Sequence, residues 1–234
     1  MPDFMNSKNL KYLLMMMFAP IFVACADTYN IIGTSSQCMF NGKMAYIKHM
    51  DYAEMKILDS CEVIHGEFQM CGPLDSVICV SLFMGNSRGI PVVLEKGDIS
   101  INLAHSSIKV EGTPLNERLY TFLNSCDSLI MLVSELQNRN ESMVYAGYGL
   151  SSDFVDRKKR EAELKMEIHQ LETQFIMNNY DNVLGVTWFM ELCHKAYAMS
   201  RRYVSTPQID EIYGRAPESF RQNKFVKSYM DMVY

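Results

Sequence analysis

The stretch that decides the fold is MKILDSCEVIHGEFQMCG, from Met55 to Gly72, because its pattern is typical of a β-hairpin. His65 and Gly66 form the predicted two-residue turn, since glycine adopts positive φ without steric cost. The register that this turn fixes pairs residues across the hairpin: Ile64 with Glu67, Val63 with Phe68, and Cys61 with Met70.

This register separates apolar from polar side chains. The apolar face carries Ile57, Cys61, Val63, Phe68 and Met70. The polar face carries Ser60, Glu62, Glu67, Gln69 and Cys71. A slip of one residue would exchange the two faces, so the pattern favours this register. Cys61 and Cys71 then point away from each other, and no disulfide is predicted between them.

Short segments rich in β-branched residues flank the hairpin: 29–33, 44–49, 77–83, 90–95, 99–103 and 108–112. Turn signals such as Asn41-Gly42 and Gly97-Asp98 separate them. Because no helical pattern lies between these segments, they predict an antiparallel β-sandwich-like domain.

The pattern changes at Thr113, a predicted helix N-cap, and Pro114 suits the first helical position. Apolar residues then follow at spacings of three and four, which predicts an amphipathic helix, and residues 138–152 predict a loop. Further helices are predicted from Asp153, over 181–200, and at Thr206-Pro207 and Ala216-Pro217. The predicted fold class is therefore α+β, with a β domain at 25–112 followed by an all-helical region at 113–234.

Composition argues against nucleic acid as a partner. The chain has 234 residues, 48% of them hydrophobic, and a formal net charge of −5. Its densest cationic stretch, DRKKRE at 156–161, is closed by acidic residues at both ends, which is typical of a solvated helix face.

The apolar run LLMMMFAPIFVACAD, Leu13–Asp27, has the features of a secretory signal. Lysines precede it, its apolar body is shorter than a membrane span, and small residues end it. Three interpretations compete: a lipoprotein signal cut between Ala24 and Cys25, an A-x-A site that leaves Asp27 first, and a buried core helix. The charged start, the short body and the terminal cysteine together favour the first.

In the lipoprotein interpretation residues 1–24 are the signal peptide, and Phe22-Val23-Ala24-Cys25 resembles the lipobox of bacterial lipoproteins. The Cys25 thiol accepts the diacylglyceryl group in that family, because sulfur is the nucleophile, and Phe22 departs from the usual leucine. Acyl chains such as palmitate would then anchor the protein to membrane lipid. The predicted location is the cell envelope, facing the periplasm or the cell surface.

Six cysteines remain beside Cys25, and an even number in an exported chain is compatible with disulfides: Cys38, Cys61, Cys71, Cys79, Cys126 and Cys193. The sequence has no C-x-x-C pair, so the dithiol motif of thioredoxin-like enzymes is missing. We predict that Cys61, Cys79 and Cys126 are small buried apolar residues.

No convergent set of reactive residues emerges from the sequence. Glu191 and His194 have E-x-x-H spacing on a predicted helix, but helical metal sites need a second such motif. We predict no catalytic residues, no metal site and no cofactor. The 19 methionines, for example Met44, Met55, Met70, Met166 and Met190, are predicted to fill the core.

Three segments in this order, ILDSCEVIHGEFQMCG, VVLEKGDISINL and VEGTPLNERLYTF, resemble a known family. It is an uncharacterised β domain at the N-terminus of exported thioredoxin-like (AhpC/TSA-type) lipoproteins of Bacteroidetes-type bacteria. A Trp-Cys-x-x-Cys site usually follows in that family, whereas Trp188 here has no cysteine motif beside it. The family's redox activity is therefore not expected of this chain.

Together these features predict a membrane-anchored, non-catalytic binding or assembly module with a protein partner. The alternative is an accessory role in periplasmic thiol-disulfide exchange, with a thioredoxin-like protein as the partner. An accessible thiol of low pKa would favour the alternative, and buried, inert thiols would favour the binding module.

Overall fold

The computed structural model describes residues 27–234, apart from residues 37, 52–53, 86, 106, 146 and 148–150. The predicted signal peptide at 1–24 and the predicted lipid-bearing Cys25 lie outside the described residues.

Eight strands form two four-stranded sheets, and helices follow them, so the α+β class is confirmed. The first sheet has the order β4-β1-β7-β8 and the second β3-β2-β5-β6. The strands are β1 (Thr28–Ser35), β2 (Met44–Asp51), β3 (Glu54–Glu62), β4 (Glu67–Pro73), β5 (Ile78–Met84), β6 (Ile90–Leu94), β7 (Gly97–Leu103) and β8 (Ile108–Glu111).

One pairing departs from the predicted antiparallel arrangement, because β1 and β7 are parallel. The other strand pairs are antiparallel. A parallel neighbour needs a long connection, and here the second sheet together with β4 lies between β1 and β7 in the chain. This pairing joins segments that are distant in the sequence, so no local sequence pattern predicts it.

The predicted hairpin turn is correct. His65 and Gly66 both have positive φ, at 53° and 81°, and the backbones of Ile64 and Glu67 exchange two hydrogen bonds of 2.9 Å. Beyond that pair the strands part, because β3 joins the second sheet and β4 the first. Cys61 and Met70 therefore lie in different sheets, which the predicted register did not anticipate.

Ile57 was predicted on the buried face and is instead 57% exposed. The cause is a β-bulge: Ile47 pairs with Asp59 and Lys48 with Ile57, so Leu58 is an extra residue in β3. A bulge reverses the alternation of side chains beyond it. Ile57 therefore shares the outer face with Lys48.

The helices are α1 (Pro114–Tyr145), α2 (Ser152–Met177), α3 (Val183–Ser200), α4 (Pro207–Arg215), α5 (Glu218–Arg221) and α6 (Lys224–Val233). The predicted loop at 138–152 is wrong for residues 138–145, which continue α1. Within this segment the buried Asn140 is accommodated in the helix by donating a hydrogen bond to Glu161 of α2, as does Gln137 just before the segment. The helix predicted to begin at Thr206-Pro207 is confirmed as α4, and the Thr206 hydroxyl caps it by accepting from Ile209 N.

The space between the sheets holds a hydrophobic cluster that continues into the helices. Phe122 of α1 stacks on Phe175 of α2 at 3.9 Å between ring centroids, and Trp188 of α3 meets both rings edge-on. A second cluster joins the end of α2 with α3, α4, α5 and α6. The two clusters meet at Trp188.

Candidate functional site

The outer face of the first sheet is an ordinary solvated surface. Asn30 donates to Asp98 at 2.8 Å and accepts from Gln69 at 3.1 Å, which links three strands through polar side chains. Ile32 is the large apolar residue exposed on this face, at 49%. Water can hydrogen-bond to the polar side chains of such a face, so the face does not require a protein partner.

Helices cover one half of the outer face of the second sheet. Tyr120 of α1 donates its hydroxyl to Pro91 O at 3.1 Å, and Asn116 contacts Val93 of the same strand. On neighbouring β5, Cys79 is hydrogen-bonded to Thr187 of α3. This half therefore belongs to the packed core.

The other half of this face exposes large apolar side chains. We call it the ribbon patch, since most of it lies on the β2–β3 hairpin ribbon: Met44, Tyr46, Met50, Met55, Ile57 and Phe83. Within it Met50, Met55 and Ile57 are 52%, 53% and 57% exposed. Contiguous exposed apolar side chains mark interaction surfaces more often than isolated ones do.

One cation lies within the ribbon patch. The Lys48 ammonium is 4.9 Å from the ring centroid of Phe83 and 5.7 Å from that of Tyr46. Both distances fit a cation–π contact. The patch thus combines flexible methionines, aromatic rings and an amphipathic lysine stem.

The prediction that the methionines fill the core is correct for Met70, which is 3% exposed. It is wrong for Met44, Met55 and Met166, which are 39%, 53% and 60% exposed. The first two belong to the ribbon patch. The sequence alone could not have grouped them, because the bulge at Leu58 decides which face of the ribbon each side chain takes.

A buried polar junction joins β6 to the start of α1. Asn116 is fully buried; its carbonyl accepts from Val93 N at 2.9 Å, and its amide donates to Val93 O at 2.7 Å and to Thr113 Oγ1 at 2.8 Å. Glu95 Oε1 accepts from Leu115 N and Asn116 N at 2.8 and 3.1 Å. The Glu95 carboxylate, rather than the predicted Thr113 hydroxyl, thus caps the helix.

This junction explains two segments that carried the family resemblance, LEKGD and GTPLN. Glu95 comes from the first segment and Asn116 from the second. Gly112 of the second segment serves the same junction, because its φ is +99° and a Cβ atom there would lie 2.4 Å from Asp98 O. The role of these residues is to join sheet and helix, which sequence reasoning missed.

The five cysteines whose side chains are described are all unpaired: Cys61, Cys71, Cys79, Cys126 and Cys193. Burial raises the pKa of the Cys79 and Cys126 thiols to about 11 and that of Cys193 to about 12. Burial also raises the pKa of Cys61, although the residue is partly exposed. Raised pKa values make these thiols poor nucleophiles, and Cys71 is the exposed one on β4.

The predictions of burial differ in outcome among the cysteines. Cys126 is buried, as predicted, whereas Cys61 and Cys79 are only partly buried. Both partly buried residues still pack against the first hydrophobic cluster.

The E-x-x-H pair lies on α3 with Glu191 and His194 both exposed. His169 of α2 is engaged elsewhere, with its Nδ1 atom 3.0 Å from Gln208 Oε1. Within the described ranges, no three His, Cys, Asp or Glu side chains are grouped as metal ligands would be. Among the helices of those ranges, none combines the length and the apolar character needed to cross a bilayer.

A polar layer holds α1 and α2 together far from the sheets. Glu161 is 4% exposed and accepts from Lys165 at 2.7 Å, from Lys158 and Gln137 at 3.0 Å, and from Asn140 at 3.2 Å. The two lysine ammonium groups hold the pKa of the Glu161 carboxyl down to about 2. We call residues 127–145 of α1 and 152–168 of α2 the helical arm.

One family model matches part of the sequence. Residues 29–119 match the family model described as Domain of unknown function (DUF4369). The resemblance to a domain of unknown function is thereby confirmed, and no thioredoxin family model matches the chain. The DUF4369 region spans the two sheets, the ribbon patch and the Glu95–Asn116 junction. Neither a curated protein nor a solved structure matches the chain.

Proposed function

We propose that the protein is an exported lipoprotein, anchored through Cys25, that works as a non-catalytic binding module with the ribbon patch as its contact surface. The observation that carries the proposal is the contrast between the two outer sheet faces. The outer face of the first sheet is polar apart from Ile32, whereas the ribbon-patch half of the second sheet exposes methionine, isoleucine and aromatic side chains. Burial of such an apolar surface against a partner is favourable, because it removes apolar area from water.

The position of the predicted cleavage site supports the anchoring step. Cys25 precedes the first strand residue, Thr28, by three positions, so cleavage before Cys25 would leave β1 complete. Asp27, the residue directly before the strand, forms an ion pair with Lys96, with 2.6 Å between Asp27 Oδ1 and Lys96 Nζ. Removal of residues 1–24 is therefore compatible with the described fold.

One observation favours the thiol-exchange alternative: Cys71 is exposed on the outer face of β4, where its thiol is accessible. An accessory redox role would have to use that thiol, since burial raises the pKa values of Cys61, Cys79, Cys126 and Cys193. The binding module needs no reactive thiol.

Intact-mass measurement of the membrane-extracted protein tests the anchor. We expect a chain that begins at Cys25 and carries acyl mass, and the Cys25→Ser variant should lack that mass. An uncut chain beginning at Met1, or a chain beginning at Asp27 without lipid, would contradict the proposal.

Alkylation followed by peptide mapping separates the two functions. We expect Cys79, Cys126 and Cys193 to react only after unfolding, because burial keeps their thiols protonated and covered. Reversible mixed-disulfide formation at Cys71 in the native protein, abolished by Cys71→Ser, would instead support the redox role.

A further inference from the structure

The most exposed part of the ribbon patch, Met50, Met55 and Ile57, lies at one end of the sandwich, and chain connectivity shows which end. The turn at His65-Gly66 leads from the end of β3 into the start of β4, and Glu67 of β4 pairs with Thr34 near the end of β1. The opposite end of the sandwich, which we call the proximal end, therefore contains the start of β1 and the β2–β3 tip.

Side-chain contacts confirm that β1 and the ribbon meet. Tyr29, the second residue of β1, donates its hydroxyl to Asp59 of β3 at 3.2 Å. From Asp59 to Glu54 the ribbon continues for five residues, about 16 Å of strand. Met55 and Ile57 lie on this stretch, and Met50 pairs with Met55 across it.

The chain enters β1 at this same end, with Asp27 directly before Thr28. The predicted anchor, Cys25, is three positions before Thr28, a span of at most about 11 Å of extended chain. An acylated Cys25 would thus hold the proximal end against the bilayer, with the exposed part of the ribbon patch beside it.

The geometry points to the lipid bilayer surface as the partner of the ribbon patch, an inference that rests on the proposed anchoring at Cys25. Exposed Met50, Met55 and Ile57 would enter the boundary between headgroups and acyl chains. Tyr46 and Lys48 have the aromatic and long cationic side chains that are favoured at membrane interfaces.

A carboxylate at the tip of the ribbon limits the depth of this contact. Glu54 of β3 is exposed at the proximal end, and desolvating its charge would be costly. The contact is therefore shallow and depends on apolar area rather than on attraction to anionic lipid. Vesicles of phosphatidylcholine alone are consequently the appropriate probe.

The test places the photo-crosslinking residue p-benzoylphenylalanine at position 57 of the acylated full protein in phosphatidylcholine vesicles. The matched control carries it at position 32, because Ile32 is 49% exposed on the polar first sheet and Ile57 is 57% exposed. A second control replaces Met131 of the helical arm, which is 72% exposed. We expect several-fold more lipid adduct at position 57 than at either control.

A second variant removes the apolar contact without touching the anchor. In the Met55→Asp, Ile57→Asp background, p-benzoylphenylalanine at position 50 should lose most of its lipid adduct, while the mass of acylated Cys25 stays unchanged. Both substituted residues are more than half exposed, so the fold tolerates the change.

Two readouts keep this inference apart from the anchoring proposal. Acylated Cys25 with equal lipid adducts at positions 57 and 32 would overturn the membrane contact alone. In isolated cell envelopes, a protein adduct at position 57 without a lipid adduct would overturn it in favour of a protein partner. Unmodified Cys25 would overturn the anchoring and the membrane contact with it.

Discussion

Replacing Asn116 with alanine tests whether the β6–α1 junction holds the sheets and helices together. The substitution removes the acceptor of Val93 N and a donor to Val93 O, both buried, and a donor to Thr113. A buried backbone group left without a partner costs roughly 1–3 kcal/mol, so two such groups cost about 2–6 kcal/mol. Alanine is also the better helix former by about 0.6 kcal/mol, so the local helix effect opposes the loss.

The assay is urea unfolding followed by far-UV circular dichroism, with Asn30→Ala as the matched control. Asn30 also bridges strands through two side-chain hydrogen bonds, but its partners Asp98 and Gln69 are exposed, so water can replace them. We expect the control to lose less than about 1 kcal/mol of unfolding free energy. If Asn116→Ala lost no more than the control, the junction would not have the structural role assigned to it.

Two further predictions concern the helices. Glu161→Gln should destabilise the protein near pH 7, while Glu163→Gln, an exposed partner of Arg160, should have little effect. Because the pKa of Glu161 is lowered from 4.5 to about 2, its stabilising contribution is complete above about pH 4.5 and is lost as pH falls toward 2. Urea midpoints measured across that range should therefore converge for wild type and Glu161→Gln, and a constant difference would contradict the ion-pair argument. Gly185→Ala should destabilise strongly, because its Cβ atom would lie 2.1 Å from the backbone oxygen of Asn179, whereas Gly214→Ala meets no atom within 4 Å and should be neutral or stabilising. Thermal unfolding of the two alanine variants checks the contrast, and equal melting temperatures would refute it.

The parts of the fold that follow from local chemistry could be predicted from the sequence. The His65-Gly66 turn, the strand positions and the helix start at Thr206-Pro207 depend on a few neighbouring residues, and the structure confirms them. The parallel β1–β7 pair and the separation of β3 from β4 depend on contacts between distant segments. A hairpin pattern specifies its turn, but it does not say how far the two strands stay together.

The candidate site could be predicted only in part, for the same reason. One extra residue, Leu58, moves Ile57 from the predicted buried face to the outer face, and residue periodicity cannot locate a bulge. The polar character of residues 138–145 predicted a loop, because the partner that accommodates the buried Asn140, Glu161, lies on another helix. Asn116 and Glu95 belonged to recognisable segments, yet their roles depend on Val93 and on the helix start that they contact.

The two ends of the molecule carry different chemistry. Helix α1 begins at the proximal end, where Asn116 contacts Val93, and it reaches Pro91 at Tyr120, so it runs toward the opposite end. Farther along α1, the helical arm contains the buried Glu161 carboxylate with its four hydrogen-bond donors, together with the buried apolar side chains of Val133 and Leu164. If the ribbon patch meets lipid, the arm is directed away from the membrane, into water, where ionic contacts of this kind are readily solvated. Substitutions in the ribbon patch should then change the contact between protein and bilayer, and replacement of Glu161 should destabilise the helical arm. Because the two sites share no partners, the effects of the two changes should be independent.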